Sequence, residues 1–91
     1  METVRIGILG AARIVPSALI KPARSLAEVT VAGIAARDIT RSRAFAQKHG
    51  IPQVFASYDE LLADPTIDAV YIPLPNSLHE RWTLQALAAG K

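Results

Sequence analysis

The residues best suited to chemistry in this sequence lie in a turn directly after its first apolar segment. Val4–Leu9 is largely apolar and rich in β-branched residues, a composition typical of a parallel strand that is buried on both faces. Gly10 follows. Glycine lets a backbone approach a phosphate closely, and the first N–H groups of a helix attract anions. The pattern predicts a phosphate-binding turn formed by Gly10, Ala11, Ala12, Arg13 and Ile14.

The glycine fingerprint of such turns, G-x-G-x-x-G, is only partly present. Gly10 fills its first position, but Ala12 stands at the second and Val15 at the last, where Gly or Ala is usual. Ala12 is small enough to permit the approach of a phosphate, although less closely than glycine would. A glycine turn also serves plain packing between a strand and a helix, so the turn alone leaves nucleotide binding and a structural role both open.

The residues at the end of the second apolar segment, near residue 36, indicate which dinucleotide such a turn would hold. In NAD-binding folds an acidic residue there binds the ribose hydroxyls, whereas this sequence has Ala36 followed by Arg37. An arginine matches the 2′-phosphate of NADP through charge-assisted hydrogen bonds and can stack on adenine, and Arg41 is near enough to assist. We therefore expect NADP rather than NAD. The alternative is that both arginines are solvated charges beside a helix that Asp38 caps.

Predicted strands and helices alternate along the chain, which indicates an α/β fold with a parallel sheet between layers of helices. The strands are expected at Val4–Leu9, residues 30–36, Gln53–Phe55 and residues 69–72. Helices are expected from near Ala11 to near Ser25, with interruptions at Pro16 and Pro22, then at residues 40–49, from Ser57 to before Pro65, and from Ser77 to Gly90. Ser57 and Ser77 each precede a glutamate with capping-box spacing, and Gly50 is expected as a left-handed helix cap.

The order of these elements predicts where a ligand would lie. Right-handed crossovers give the strand order 3-2-1-4, which is a Rossmann-like doubly wound sheet in a three-layer αβα arrangement. The ligand crevice of such a sheet lies at the carboxyl ends of strands one and four, where the winding direction reverses. Residues 10–14, 36–38 and 73–79 are expected to meet there.

Composition excludes several other classes of protein. Ninety-one residues make one small domain at most, and 51% apolar residues are enough for a core. The net charge of +2 is small and the basic residues are scattered, which does not favour a nucleic-acid partner. The sequence has no cysteine, no cluster with metal-ligand spacing, no apolar run of transmembrane length and no signal-peptide pattern. We expect a cytoplasmic protein without metal or membrane partners.

Several segments of the chain resemble the N-terminal domain of the glucose–fructose oxidoreductase and inositol dehydrogenase family (Gfo/Idh/MocA). The resemblance covers the whole chain and is most specific in Pro75-Asn76-Ser77-Leu78-His79 and in the Ala-Gly-Lys end of the last helix. The glycine turn and the residues after strand four look most similar to the branch that contains dimeric dihydrodiol dehydrogenase. The other matching segments are residues 5–10, 35–38, 57–62 and 68–72.

The resemblance implies roles for the turn after strand four. Members of the family are NAD(P)-dependent oxidoreductases, and many act on sugars, polyols or related small alcohols. By this likeness His79 is a cofactor-side contact rather than the proton-transfer residue, although a lone histidine is more often structural. Trp82 is expected to pack in the core rather than to cover the cofactor. The turn residues expected to line the nicotinamide and its ribose, while also forming a rigid connector, are Pro73, Leu74, Pro75 and Asn76.

The resemblance also implies that this sequence holds only part of an enzyme. Family members carry a Glu-Lys-Pro motif with a catalytic lysine after the segment that corresponds to Gly90 and Lys91, and then a second domain that supplies most of the substrate site. Residues 1–91 are therefore expected to be a partial NAD(P)-binding domain with no catalytic residue of their own. A non-catalytic redox-sensing module is the alternative. Strand four lacks an outer neighbour and exposes an apolar edge, which predicts self-association or marginal stability of the isolated fragment. We also expect a homo-oligomer.

Overall fold

Four strands and four helices alternate along the chain in the computed structural model, which describes residues 3–11, 19–74 and 76–91. The strands are β1 (Val4–Leu9), β2 (Val29–Ala35), β3 (Gln53–Phe55) and β4 (Ala69–Tyr71). The helices are α1 (Lys21–Arg24), α2 (Ile39–His49), α3 (Tyr58–Ala63) and α4 (Asn76–Ala88). Most of the predicted first helix falls on residues 12–18, which lie outside the described residues.

The four strands form one parallel sheet in the order β3-β2-β1-β4, so the predicted strand order is confirmed. β1 pairs with β2 through Gly7↔Gly33 and Leu9↔Ala35, and with β4 through Ile6↔Ala69 and Ile8↔Tyr71. The carboxyl ends of β1, β2 and β4 therefore lie at the same edge of the sheet. The direction of winding reverses between β1 and β4, as it does in dinucleotide-binding sheets.

Helices cover both faces of the sheet because alternate residues of each strand point to opposite sides. On one face Leu9 and Ala35 pack with Leu61 and Leu62 of α3 and with Ala86 of α4. On the other face the buried side chains come from β1, β2, α2 and the segments beside them, namely Ile8, Ile20, Ile34, Ala46 and Ile51. This is the predicted three-layer αβα arrangement.

Two predicted helix boundaries are confirmed in detail. The Asp38 side chain accepts a hydrogen bond from the Thr40 backbone N–H at 2.9 Å, and it therefore caps α2. Gly50 ends the same helix in the left-handed conformation, with φ of 69°. These two ends fix where α2 starts and stops relative to β2 and β3.

The third helix begins as the capping-box spacing predicts, whereas the fourth does not. The Ser57 hydroxyl accepts from the Glu60 N–H at 3.1 Å, and the Glu60 carboxylate accepts from the Ala56 N–H at 3.1 Å. α4 already begins at Asn76, so the prediction that Ser77 opens it is wrong. A capping serine must precede its helix with extended backbone, and spacing alone does not reveal that position.

None of the helices in the described ranges is long and apolar enough to cross a membrane. Across residues 3–11, 19–74 and 76–91, no three side chains of the metal-ligating types come together.

Candidate functional site

The carboxyl edge of the sheet brings the three predicted segments together. A cavity of about 240 Å³ lies there, and its walls come from the turn after β1, the end of β2, the start of α2 and the loop after β4. The lining residues are Gly10, Ala11, Ala36, Arg37, Asp38, Arg41, Tyr58, Pro73 and Leu74. Of the three segments predicted to meet, every described residue up to residue 74 thus lies in the wall of this cavity.

Gly10 holds the turn after β1 in a conformation that suits glycine. Its φ is 123°, and its N–H donates to the Ala35 carbonyl at 2.7 Å. A Cβ atom on Gly10 would lie 3.1 Å from Leu74 Cδ2, which is tight contact. The turn therefore packs directly against the loop after β4. A side chain at position 10 would narrow the cavity between them.

Arg41 places a positive charge at the same turn. It lies in the first turn of α2, which the Asp38 cap fixes at the end of β2. The Arg41 Nη2 group donates to the Ala11 carbonyl at 3.2 Å. This bond holds the guanidinium beside the predicted phosphate-binding turn, where it favours an anion. The predicted assistance of Arg41 to Arg37 at the 2′-phosphate of NADP is not tested by this contact and stays a prediction.

A second cavity, of about 520 Å³, lies beside the first. The two share Ala36, Arg37 and Tyr58 in their walls, and we call the two adjoining cavities together the edge groove. The larger part of the edge groove is lined further by Ala56, Ser57, Asp59, Leu78, Arg81 and Trp82. The groove thus runs from the glycine turn, past the end of β2, to the space between α3 and α4.

An aromatic pair forms one wall of the larger part of the edge groove. Tyr58 and Trp82 meet edge to face, with ring centroids 4.9 Å apart. Partial burial raises the pKa of the Tyr58 hydroxyl above its usual 10.0, and the nearby positive charge of Arg37 opposes that rise. The phenol is therefore neutral near pH 7 and can donate a hydrogen bond.

Trp82 packs in the core, as predicted, and it also lines the edge groove. Its half-buried side chain packs against the core beneath α3 and α4, as the core interpretation predicts. The same side chain also lines the edge groove. The Arg81 guanidinium lies above its ring, with Cζ 5.3 Å from the ring centroid, a distance at which a cation is attracted to an aromatic face.

Sequence reasoning missed several polar members of this groove, among them Tyr58 and Arg81. A signal for Arg81 is present: Leu78, Arg81 and Trp82 follow the i, i+3, i+4 spacing that places side chains on one helix face. Tyr58 directly follows the residue that caps α3. Neither pattern shows that these side chains lie beside the end of β2, because that position depends on how α3 and α4 pack on the sheet.

His79 lies in a different place from the edge groove. It lines a separate groove of about 400 Å³ between β4 and α4, together with Tyr71, Thr83 and Lys91. The Thr83 hydroxyl donates to the His79 carbonyl at 2.7 Å and lies 3.3 Å from His79 Nδ1. The structure therefore does not bring His79 to Gly10 and Arg37, and its predicted contact with a cofactor stays a prediction.

Several other predicted site residues are not described in full. Asn76 is the first residue of α4. The residues Ala12, Arg13, Ile14 and Pro75 lie outside the described residues, so their predicted contacts with a cofactor also stay predictions.

Two named enzymes are similar to this chain along part of their own length. The D-xylose 1-dehydrogenase (NADP(+)) 2 of Haloferax volcanii is 49% identical over 84 residues, which are 92% of this chain and 26% of that protein. The human trans-1,2-dihydrobenzene-1,2-diol dehydrogenase is 44% identical over 64 residues, which are 70% of this chain and 19% of that protein. The chain thus spans about a quarter or less of the length of these relatives.

A solved structure shares both the fold and the sequence pattern. KijD10, a 3-ketoreductase from Actinomadura kijaniata in complex with NADP and TDP-benzene, superposes with a TM-score of 0.90 and 33% identity over 99% of this chain and 27% of that chain. The model of an oxidoreductase family with an NAD-binding Rossmann fold, Gfo/Idh/MocA, matches residues 4–91. The predicted family and fold class are thereby confirmed: the chain belongs to the Gfo/Idh/MocA oxidoreductases.

Proposed function

We propose that this chain is the dinucleotide-binding part of an NADP-dependent oxidoreductase. The reaction of the intact protein is hydride transfer between the nicotinamide and a carbinol or carbonyl carbon of a sugar, polyol or related small molecule. The observation that carries the proposal is the edge groove, which is lined by the glycine turn, three arginines and an aromatic wall at the reversal point of the sheet. Dinucleotides bind at this point in open α/β sheets.

The residues of the edge groove fit the successive parts of a dinucleotide. The backbone of Gly10 and Ala11 allows close approach of the pyrophosphate, and Arg41 adds a positive charge beside it. Ala36 leaves room for the ribose, while Trp82 and Leu78 offer an apolar wall for the adenine. When bound, the cofactor supplies the hydride chemistry, and the protein binds and orients it.

The end of β2 favours NADP over NAD. Ala36 stands where a carboxylate would hold the ribose hydroxyls, and Arg37 lines both parts of the edge groove. A guanidinium pairs well with the 2′-phosphate that only NADP carries. The dependence on NADP in the name of the Haloferax volcanii relative and the NADP bound to KijD10 support the same assignment.

The remaining parts of the proposal concern the intact protein. We propose that residues 1–91 are a partial NAD(P)-binding domain and that a further domain supplies the substrate site and the catalytic lysine. The names of the relatives support an enzyme rather than the alternative of a non-catalytic redox-sensing module. A cytoplasmic location, a homo-oligomeric state and the cofactor contacts of Pro73, Leu74, Asn76 and His79 remain predictions.

Titration of the full-length protein with NADPH and with NADH tests the proposed cofactor. Transfer of protein fluorescence to the reduced nicotinamide gives both dissociation constants, and Trp82 lies in the groove to report on binding. We expect tighter binding of NADPH, by about tenfold or more, because one charge-assisted bond contributes about 1.5–3 kcal/mol. Equal or tighter binding of NADH would refute the NADP assignment, and no binding of either would refute the proposed function.

A further inference from the structure

We propose that Arg81 of α4 is a second ligand for the 2′-phosphate and acts together with Arg37 to select NADP over NAD. This inference rests on the proposed function and adds a specificity-determining residue to the same site. Arg37 follows β2 and Arg81 lies in the second turn of α4, yet both line the larger part of the edge groove. Two guanidiniums from different elements thus face one cavity.

The ring of Trp82 restricts where the Arg81 side chain can lie. Trp82 is fixed from beneath by the core and from the side by Tyr58, whose ring centroid is 4.9 Å away. The Arg81 guanidinium lies 5.3 Å from the Trp82 centroid, and attraction between a cation and an aromatic face holds it there. An exposed arginine that is held in this way loses less conformational freedom on binding an anion.

The balance of charge in the larger cavity favours a dianion. Among the residues that the structure describes, its charged lining residues are Arg37, Arg81 and Asp59, so two positive charges are only partly balanced by one negative charge there. The exposed Asp59 carboxylate lowers the attraction for a phosphate without cancelling it. A phosphate monoester carries about −1.5 to −2 charges at neutral pH, and only the 2′-phosphate distinguishes NADP from NAD. The excess positive charge should therefore strengthen the binding of NADP relative to that of NAD.

Arg37 and Arg81 are expected to contact different parts of the dinucleotide. Arg37 also lines the smaller cavity beside the glycine turn, so its loss affects the shared part of the dinucleotide as well. Arg81 lines the larger cavity and the outer face of α4 but is not among the described lining residues of the smaller cavity. Its removal should therefore change the affinity for NADPH while it leaves the affinity for NADH almost unchanged.

The test compares Arg81→Gln, Arg81→Lys and Arg43→Gln in the full-length protein, each titrated with NADPH and NADH. Arg43 is a matched control, since it is an exposed arginine of α2 that lines neither part of the edge groove. We expect Arg81→Gln to weaken NADPH binding by about tenfold to a hundredfold and NADH binding by less than about twofold. Arg81→Lys should recover part of the loss, because it keeps the charge without the planar fork.

A fourth variant tests the same charge balance in the opposite direction. Asp59→Asn removes the one negative charge among the described lining residues of the larger cavity, so it should tighten NADPH binding by about twofold to fivefold relative to NADH. Unchanged NADPH binding in Arg81→Gln, or an equal loss for both dinucleotides, would overturn the role of Arg81 even when the unmodified protein binds NADPH tightly. If the unmodified protein binds neither dinucleotide, the proposed function fails and this inference fails with it.

Discussion

At the scale of single residues, Gly10 affects both the stability of the fold and the shape of the candidate site. Its φ of 123° is a conformation that other residues rarely adopt, and the missing Cβ leaves room beside Leu74. We predict that Gly10→Ala lowers the free energy of unfolding by about 1–3 kcal/mol and weakens the binding of NADPH. Urea unfolding and fluorescence titration of the full-length protein measure the two effects.

Gly50 provides the matched control for Gly10. It also has a positive φ, of 69°, but a Cβ there would meet nothing within 4 Å, and it lies at the end of α2 away from the edge groove. Gly50→Ala should therefore cost about 1–2 kcal/mol of stability and leave the affinity for NADPH unchanged. Equal losses of affinity in both variants would show that the turn acts through general destabilisation and not through the shape of the site.

At the scale of elements, the two serines with capping-box spacing have different positions. Ser57 precedes α3 and accepts the Glu60 N–H, whereas Ser77 lies inside the first turn of α4. Ser57→Ala should therefore lower the free energy of unfolding by about 1 kcal/mol, while Ser77→Ala should change it by less than about 0.5 kcal/mol. Chemical unfolding of both variants measures this difference, and equal losses would contradict the assigned start of α4.

The elements also show how much the sequence could predict and where it could not. The strands followed largely from short apolar runs, because a parallel sheet buries both of its faces. Their order followed from the right-handed crossovers between parallel strands. The convergence of Gly10, Arg37 and Leu74 followed from that order. The aromatic wall of Tyr58 and Trp82 did not follow, because it depends on how α3 and α4 pack against each other. No periodicity along the chain encodes that contact.

At the scale of the whole molecule, β4 forms one of the two edges of the described sheet, and β3 forms the other. Of the described strands, β4 pairs with β1 alone and stands at the end of the sheet. The groove of about 400 Å³ beside it is lined by apolar groups that include Val70, Ile72 and Leu87. On α4, Leu84 and Leu87 are 61% and 65% exposed. An open strand edge beside apolar surface tends to pair with another chain.

The 91-residue chain is therefore predicted to self-associate through β4 and α4. Sedimentation velocity over a hundredfold range of concentration should show a weight-average mass above 9.8 kDa that rises with concentration. Leu87→Glu should reduce this association, because it places a charge in the groove beside β4. Leu26→Glu is the matched control, since Leu26 is also half exposed but lies in the turn between α1 and β2. A chain that stays monomeric at every concentration and unfolds cooperatively on heating would contradict the prediction. It would show that the edge of β4 is stable in water without pairing to another chain.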